Sequence, residues 1–196
     1  MPSSSFLVGL AGGSASGKST LSSLLAAALR ERSGGRSVEV CSTDAYFLPI
    51  GEMPTFYSPS RGKDMPDFNR PDAIDQARFL ADLDTRRSAP ARPDVLIVEG
   101  LMVLHIPEIR ERLDMRLFVD LEADQRALRR LVRNLEAQYG GTPREIADYY
   151  RESARVGHER FVEPSRRWAD LILRGDGDFN RTAPMLAAMI AAMVVN

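Results

Sequence analysis

Short apolar runs alternate along the chain with longer stretches of helical periodicity. The apolar runs, which predict strands, cover residues 6–11, 37–41, 95–98, 115–119 and 171–173. The periodic stretches, which predict helices, cover residues 19–29, 72–83, 122–137, 142–161 and 182–195. Because strands and helices alternate, the pattern predicts a three-layer α/β fold, a mostly parallel sheet with helices on both faces.

One long stretch interrupts this alternation. Residues 50–71 carry four prolines and two glycines with little periodicity, so we predict an irregular excursion over about residues 45–72. The glycines of Ser33-Gly34-Gly35 and Tyr139-Gly140-Gly141 are expected to end the helices before them. At 196 residues the chain is long enough for one well-buried domain and short for two, so we expect a single domain over residues 1–196.

Composition narrows the classes of partner. The formal net charge of −1 contains no block of one sign, which argues against a nucleic-acid-binding surface. The first residues lack the pattern of a signal peptide, and no run reaches the roughly twenty apolar residues of a membrane span. The single cysteine, Cys41, allows no intramolecular disulfide. We therefore expect a cytoplasmic protein with no nucleic-acid or membrane partner.

A glycine-rich loop follows the first predicted strand. Its sequence, which fits the phosphate-binding pattern G-x-x-x-x-G-K-[ST], is Gly12-Gly13-Ser14-Ala15-Ser16-Gly17-Lys18-Ser19. A strand precedes the loop and a helix follows it, so backbone N–H groups and the helix dipole can surround a polyphosphate. Lys18 is expected to reach the β- and γ-phosphates and Ser19 to ligate Mg²⁺. The loop, with the adjoining Thr20, therefore predicts nucleoside triphosphate binding.

Three acidic residues stand at the ends of later strands. In a parallel sheet, Asp44, Glu99 and Asp120 would share one edge with the glycine loop. Glu99 is placed to hold Mg²⁺ through water, although an ordinary strand-end acid is the alternative. Asp44 is placed to accept a proton from a substrate hydroxyl as that hydroxyl attacks the γ-phosphate, although a structural turn aspartate is the alternative. For Asp120 we favour a helix cap.

A row of arginines marks the helix that follows Asp120. Arg126, Arg129, Arg130 and Arg133 recur at three- and four-residue spacing, which places them near one face. Such a row is usually a solvated face, but Arg130 or Arg133 could instead swing over the triphosphate and stabilise the charge that develops during phosphoryl transfer. The two histidines, at positions 105 and 158, lack partners at metal-ligand spacing and are expected to be packing residues.

These motifs together resemble the phosphoribulokinase/uridine kinase family of P-loop kinases, and within it the uridine kinase (uridine-cytidine kinase) branch. Besides the glycine loop, the matching stretches are residues 42–47 (STDAYF), 68–75 (FNRPDAID), 98–101 (VEGL), 117–120 (LFVD), 129–133 (RRLVR), 161–164 (FVEP) and 168–170 (WAD). In order and spacing they cover most of the chain. The fold that the resemblance implies is the P-loop NTPase fold.

The resemblance also implies an activity and roles for residues. The activity is ATP- or GTP-dependent phosphorylation, with Mg²⁺, of the ribose 5′-hydroxyl of a pyrimidine nucleoside. Asp44 falls at the catalytic base, Asp72 and Arg130 at ribose contacts, and Arg133 at a lid arginine. The lid would span about residues 134–160, Lys18, Ser19 and Glu99 match the phosphate and Mg²⁺ positions, and relatives are often homo-oligomers. Further predicted acceptor contacts are Tyr46, Phe47 and Phe68.

Two departures from the family pattern leave the acceptor open. Uridine kinases carry a base-binding β-hairpin between the second helix and the strand before Glu-Gly, whereas here that interval is only Asp84 to Asp94. The family's arginine-rich lid segment is replaced by residues 138–143 (QYGGTP). Aromatic side chains of the excursion, including Phe56 and Tyr57, could supply a substitute pocket. Alternatives are a related kinase for nicotinamide riboside, pantothenate or a sugar phosphate, and a nucleotide-dependent regulator without an acceptor.

Overall fold

A five-stranded parallel sheet forms the centre of the molecule. The computed structural model describes residues 4–32, 36–137 and 141–194. The strands of this sheet, in spatial order, are β2 (Val38–Ser42), β5 (Val95–Glu99), β1 (Phe6–Gly12), β6 (Met115–Asp120) and β7 (Leu171–Arg174). All four neighbouring pairs are parallel. The α/β fold and the five predicted strands are confirmed, so the strand ends that carry Asp44 and Glu99 lie on the edge of the glycine loop.

Helices cover both faces of this sheet. The α-helices are α1 (Lys18–Arg32), α2 (Gln76–Ser88), α3 (Pro107–Arg110), α4 (Ala123–Glu136), α5 (Pro143–Tyr149), α6 (Arg155–Gly157), α7 (Glu163–Ser165) and α8 (Phe179–Val194). Strand residues alternate between two buried apolar clusters, one with α1 and α8 and the other with α2. In β5, Leu96 and Val98 face the α2 side and Val95 and Ile97 the other, which produces the predicted three layers. Within the described ranges, every helix falls short of the length and apolarity needed to cross a bilayer.

The excursion contains regular structure where we predicted none. Thr55–Ser58 (β3) and Lys63–Pro66 (β4) form an antiparallel hairpin, in which Thr55 pairs with Pro66 and Ser58 with Lys63. Gly62, at φ 63°, adopts the left-handed conformation that the turn between these strands requires. The prediction of an irregular segment is therefore wrong at the hairpin. Residues 84–94 contain a turn before β5 and the end of α2, which runs to Ser88 and so passes the predicted end at residue 83.

The predicted helix boundaries shift where local caps compete with the periodic pattern. Pro71 begins a 3₁₀ turn, Pro71–Ala73, and α2 starts only after Asp75, whose carboxylate accepts the Arg78 N–H at 3.0 Å. The helical stretch that opens at the Thr142 cap passes through two π turns, Tyr150–Ala154 and His158–Val162. The predicted glycine break at 33–35, and that at 139–141 except Gly141, lie outside the described residues.

Candidate active site

The carboxyl edge of the sheet opens into a cavity of about 690 Å³. The phosphate loop, the turn after β2, the end of β5, the excursion and helices α4 and α5 all contribute to its walls. Asp44 and Glu99 line it, but Asp120 does not: its carboxylate pairs with Arg166 at 3.0 Å, and the helix cap that we predicted for it is wrong because Glu122 precedes α4 as the cap residue. Two of the three strand-end acids thus converge with the glycine loop on one cavity.

The glycine loop adopts the conformation of a phosphate cradle. Gly12 and Gly17 have φ angles of 145° and 103°, and a Cβ on Gly12 would lie 2.4 Å from the carbonyl oxygen of Val119. Ala15 is also left-handed, at φ 62°. The Lys18 ammonium is buried and donates to the carbonyl oxygen of Gly13 at 3.0 Å. The loop therefore keeps the cation folded over its own backbone, where phosphate oxygens would replace or join that carbonyl.

The loop residues divide into an inner and an outer set. Ser14, Ala15 and the stretch 17–20 line the cavity, whereas Gly12, Gly13 and Ser16 support the loop from behind. Ser16 is fully buried, and its hydroxyl oxygen has no hydrogen-bond partner among the described residues. The residues that line the cavity present backbone, ammonium and hydroxyl groups to a ligand, and this donor set suits a polyphosphate.

Ser19 and Glu99 form an oxygen pair beside the loop. The Ser19 hydroxyl lies 3.4 Å from each carboxylate oxygen of Glu99, and Glu99 is 8% exposed. Hard oxygen donors of this kind suit Mg²⁺. No group of three or more histidine, cysteine, aspartate or glutamate side chains that could hold a metal occurs in the described parts of the chain. Mg²⁺ at this pair would therefore take its remaining ligands from phosphate oxygens and water.

Asp44 projects from a 3₁₀ turn, Thr43–Tyr46, that directly follows β2. Its N–H donates to the Ser42 hydroxyl at 3.3 Å, and its carboxylate opens into the cavity opposite Lys18. Enclosure by the cavity walls raises the pKa of Asp44, and the Lys18 charge partly opposes that rise. Burial likewise lowers the pKa of Lys18, against the opposing charges of Glu99 and Asp44. The two groups thus stabilise each other's charged forms.

The same turn corrects the prediction for Tyr46. In a 3₁₀ turn residues three apart share one side, so Thr43 and Tyr46 both point inward while Asp44 points out. The Tyr46 hydroxyl donates to Asp82, and its ring packs edge-on against Phe79 with centroids 5.0 Å apart. Tyr46 does not reach the cavity, and it fixes the turn that presents Asp44.

The excursion contributes an aromatic pair and an unpredicted amide. Phe47 and Phe68 both line the cavity, edge to face with centroids 5.2 Å apart. Asp72, a predicted substrate contact, does not line it: its carboxylate accepts two bonds from Arg70, at 2.9 and 2.7 Å, outside the cavity. Asn69 lines the cavity instead. Its position directly after Phe68, within the stretch 68–75 that matches the family, is the signal from which the sequence could have predicted this.

The arginine row of α4 separates into different roles. Arg129, Arg130 and Arg133 line the cavity, whereas Arg126 is buried and donates to the carbonyl oxygen of Leu121 at 2.9 Å. Arg133 lies near enough to Asp44 and Lys18 for its charge to act on both. It partly offsets the rise in the pKa of Asp44 and adds to the fall in the pKa of Lys18. The prediction that at least one arginine of the row turns toward the phosphate loop agrees with this placement.

Neighbouring elements hold two of these guanidinium groups. Arg129 donates to the carbonyl oxygen of Gly175 at 2.9 Å. Arg130 donates to the Ser14 hydroxyl at 2.8 Å and lies 5.2 Å from the ring centroid of Tyr149. Tyr149 lines the cavity from the last residue of α5 and was not singled out by sequence reasoning. Arg130 therefore bridges the phosphate loop and the helix that covers the cavity.

Neither histidine lines the cavity. His158 is 9% exposed and stands behind the phosphate loop, where its Nε2 lies 3.2 Å from a carboxylate oxygen of Glu163. Burial, reinforced by Arg126, lowers the pKa of His158 to about 4. His105 stacks edge-on with Phe161. Both are packing residues, as predicted.

Comparisons with known proteins agree with this site. The sequence profile of the Phosphoribulokinase / Uridine kinase family matches residues 57–178. A uridine kinase of Clostridium botulinum (strain Kyoto / Type A2) is 32% identical over 193 residues, 90% of this chain and 91% of the relative. A uridine kinase of Deinococcus deserti is 31% identical over 210 residues, 96% of this chain and 97% of the relative.

Two solved structures share the fold. A "putative fructose transport system kinase" from Silicibacter sp. TM1040 superposes with a TM-score of 0.65 and 25% identity, covering 88% of this chain and 90% of that one. A "possible uridine kinase" from Bacillus stearothermophilus superposes with a TM-score of 0.60 over the same fractions, and at 16% identity it shows the fold alone. The chain therefore belongs to the Phosphoribulokinase / Uridine kinase family and is a kinase of that family.

Proposed function

We propose that this kinase transfers the γ-phosphoryl group of ATP, or GTP, to the 5′-hydroxyl of a pyrimidine nucleoside such as uridine or cytidine. The observation that carries the proposal is the convergence of Asp44 with Lys18, Ser19 and Glu99 on one cavity. A polyphosphate cradle alone requires no free carboxylate opposite its lysine. A carboxylate there is what an attacking alcohol needs.

Asp44 acts as the general base in this proposal. Its carboxylate oxygen accepts the hydroxyl proton while the acceptor oxygen bonds to the γ-phosphorus, the bond from that phosphorus to the β–γ bridging oxygen breaks, and the nucleoside diphosphate leaves. Enclosure raises the pKa of Asp44, and the charge of Lys18 partly offsets that rise in favour of the carboxylate form. The buried Tyr46 holds the turn, so the base is preorganised before the acceptor arrives.

The remaining polar groups bind the phosphates. Bound Mg²⁺–nucleotide would supply the transferable phosphoryl group and neutralise part of its charge. Ser19 would ligate the metal, and Glu99 would orient a metal-bound water. Lys18 and Arg133 would face the oxygens on which negative charge develops during transfer. These roles use only groups that already line the cavity.

The charge balance of the cavity favours a neutral acceptor. Its lining contains five cationic side chains, Lys18 and the arginines at 61, 129, 130 and 133, against three carboxylates, Asp44, Glu99 and Glu145, a net charge of +2. The Mg²⁺ complex of a nucleoside triphosphate carries roughly two negative charges near pH 7. No surplus positive charge is then left for a phosphate or carboxylate on the acceptor. This supports uridine or cytidine over a sugar phosphate or pantothenate.

The aromatic groups suit a nucleoside. Phe47 and Phe68 offer apolar ring surface for a base, and the Tyr149 hydroxyl can donate its proton to a ribose hydroxyl. A neutral sugar is the second candidate, because residues 84–94 lack the base-binding hairpin of uridine kinases and the 25%-identical structure is named for fructose transport.

A panel of acceptors tests the proposal. The enzyme is incubated with Mg²⁺ and ATP labelled at the γ-phosphorus, together with uridine, cytidine, nicotinamide riboside, pantothenate, fructose or ribose 5-phosphate. We expect label on uridine or cytidine and none on 5′-deoxyuridine, the matched control that lacks the reacting hydroxyl. Transfer confined to a non-nucleoside acceptor would overturn the nucleoside assignment. ATP hydrolysis that no acceptor accelerates would overturn the kinase assignment of the cavity.

A further inference from the structure

A buried polar cluster joins the excursion to the helix that covers the cavity. The side-chain amide of Asn69 donates to the Tyr149 hydroxyl at 3.0 Å and to the Ser153 hydroxyl at 2.8 Å. The Ser153 hydroxyl donates in turn to the Asp67 carboxylate at 2.8 Å, and that carboxylate also accepts the Asn69 N–H at 3.0 Å. Asp67, Asn69 and Ser153 are all less than 9% exposed. Because these three side chains are shielded from solvent, their mutual hydrogen bonds define one arrangement.

The directions of these bonds fix the role of Tyr149. Ser153 spends its only proton on Asp67, so its oxygen must accept from the Asn69 amide. The second amide hydrogen has the Tyr149 oxygen at 3.0 Å and the Asp67 carboxylate only at 3.5 Å, so the Tyr149 oxygen is its nearer acceptor. The position of the Tyr149 ring is therefore set by a residue of the excursion rather than by its own helix alone.

The same ring holds an arginine of the phosphate site. The Arg130 guanidinium lies 5.2 Å from the Tyr149 ring centroid and donates to the Ser14 hydroxyl of the glycine loop at 2.8 Å. Its Nε is buried with no hydrogen-bond partner among the described residues, so the aromatic face is a main support of the group. Three contacts thus connect Asn69, Tyr149, Arg130 and Ser14 in series.

The packing around this series leaves little freedom. A Cβ on Gly157 would lie 2.3 Å from the carbonyl oxygen of Asn69, so the helical segment rests directly on the excursion backbone. Tyr149 also packs edge-on against Phe56 of the hairpin, with centroids 5.8 Å apart. A shift of the excursion at Asn69 would therefore move Tyr149, and with it the seat of Arg130.

We propose that Tyr149 is a positioning residue that couples the excursion to the phosphate loop. Asn69 orients Tyr149, Tyr149 orients Arg130, and Arg130 shapes the nucleotide site at Ser14. Nucleotide affinity therefore depends on the excursion even without an acceptor. An acceptor that holds the excursion in this arrangement should strengthen nucleotide binding, and by thermodynamic reciprocity the nucleotide strengthens acceptor binding by the same factor; this second statement alone rests on the proposed function.

The first test needs no acceptor. Calorimetry measures the Kd of Mg²⁺–AMPPNP, a non-hydrolysable ATP analogue, for the wild type, Asn69→Ala, Tyr149→Phe and the double variant. Each single change removes the hydrogen bond between Asn69 and Tyr149, so we expect each to raise the Kd about 3- to 10-fold. The Kd of the double variant should be no higher than the higher of the two single-variant values. Tyr149→Leu, which also removes the ring from Arg130, should weaken binding further.

A matched control separates coupling from general loosening. Ser60 in the hairpin turn also bonds the covering helix, through Glu152 at 3.1 and 3.2 Å, but contacts neither Tyr149 nor Arg130. Ser60→Ala should leave the Kd for Mg²⁺–AMPPNP within about twofold of the wild type. Unchanged affinity in both Asn69→Ala and Tyr149→Phe would overturn the proposal, and so would losses that multiply in the double variant. Tyr149→Phe keeps the ring and removes only the hydroxyl that Asn69 holds, so it serves if Asn69→Ala fails to fold.

A second measurement adds uridine. In the wild type we expect saturating uridine to lower the Kd for Mg²⁺–AMPPNP at least about fivefold, and Tyr149→Phe to reduce that effect to less than twofold. A uridine effect retained in full by Tyr149→Phe would contradict the coupling. Absence of any uridine effect in the wild type would count against uridine as the acceptor, and the acceptor-free measurement would still decide the role of Tyr149.

Discussion

Gly100 follows Glu99 at the end of β5 and packs directly on the turn that carries the proposed base. A Cβ at this position would lie 1.9 Å from Oγ1, 3.0 Å from Cβ and 3.2 Å from Cγ2 of Thr43. Thr43 is fully buried, so it cannot turn away into solvent. Gly100→Ala must therefore push the turn, and with it Asp44, by about an ångström or more.

The expected loss follows from that displacement. Overpacking of this kind costs about 1–3 kcal/mol, which corresponds to a fall in melting temperature of roughly 2–12 °C for a chain of this size. A misplacement of about 1 Å at a reacting group costs on the order of 100-fold in rate. Differential scanning calorimetry and a nucleoside-dependent phosphoryl-transfer assay measure the two effects.

Two further variants test whether the contact with Thr43 causes these losses. Thr43 Oγ1 has no hydrogen-bond partner among the described residues, so Thr43→Ala removes the atoms at 1.9 and 3.2 Å without breaking a hydrogen bond. Only the Cβ contact at 3.0 Å remains, so the double variant should recover most of the rate and stability that Gly100→Ala loses. Gly51→Ala is the matched control. It lies in the excursion, and because no atom lies within 4 Å of the new Cβ, this variant should behave as the wild type. A Gly100→Ala enzyme with wild-type melting temperature and rate would refute the packing argument.

Three more predictions follow from the charged groups. The raised pKa of Asp44 should make kcat/KM fall toward acid pH with an apparent pKa above that of an ordinary aspartate, because only the carboxylate accepts the proton; a kcat/KM that begins to fall only where an ordinary aspartate titrates would contradict this. The pKa of His158 is lowered from 6.5 to about 4, so as the pH falls the unfolded chain gains a proton before the folded one. The free energy of unfolding, measured with urea, should therefore drop by about 2 kcal/mol between pH 7 and pH 5. His158→Gln should abolish that drop. Glu99→Gln should raise the Mg²⁺ concentration for half-maximal activity about 10- to 100-fold without changing the melting temperature, whereas an unchanged requirement would exclude Glu99 from the metal site.

The parts predictable from sequence are those in which one residue type has only one use. Glycines at positions 12 and 17 are required by positive φ angles, and the following lysine and serine have fixed places in such a loop. The apolar run before Glu99 predicts a central strand because both faces must be buried. These local rules predicted the sheet, its layers and the meeting of Asp44 with the phosphate loop.

The features that the sequence did not predict depend on where a side chain points rather than on its position along the chain. Tyr46 lies two residues from Asp44, yet the threefold period of the turn buries it. The hairpin at 55–66 has strands of four residues that lack a buried alternating face, so periodicity could not reveal it. Tyr149 reaches the cavity at the point where an α-helix passes into a π turn, a change that sequence patterns do not show.

The central claim is that Asp44 removes the acceptor proton opposite the phosphate cradle, and single-turnover phosphoryl transfer by Asp44→Asn tests it most directly. Asparagine keeps the size of the side chain but cannot accept the proton as a base. With uridine and Mg²⁺–ATP, we predict a rate at least about 100-fold below that of the wild type, while the Kd for Mg²⁺–AMPPNP stays within a few-fold. A variant that transfers the phosphoryl group at the wild-type rate would contradict the account.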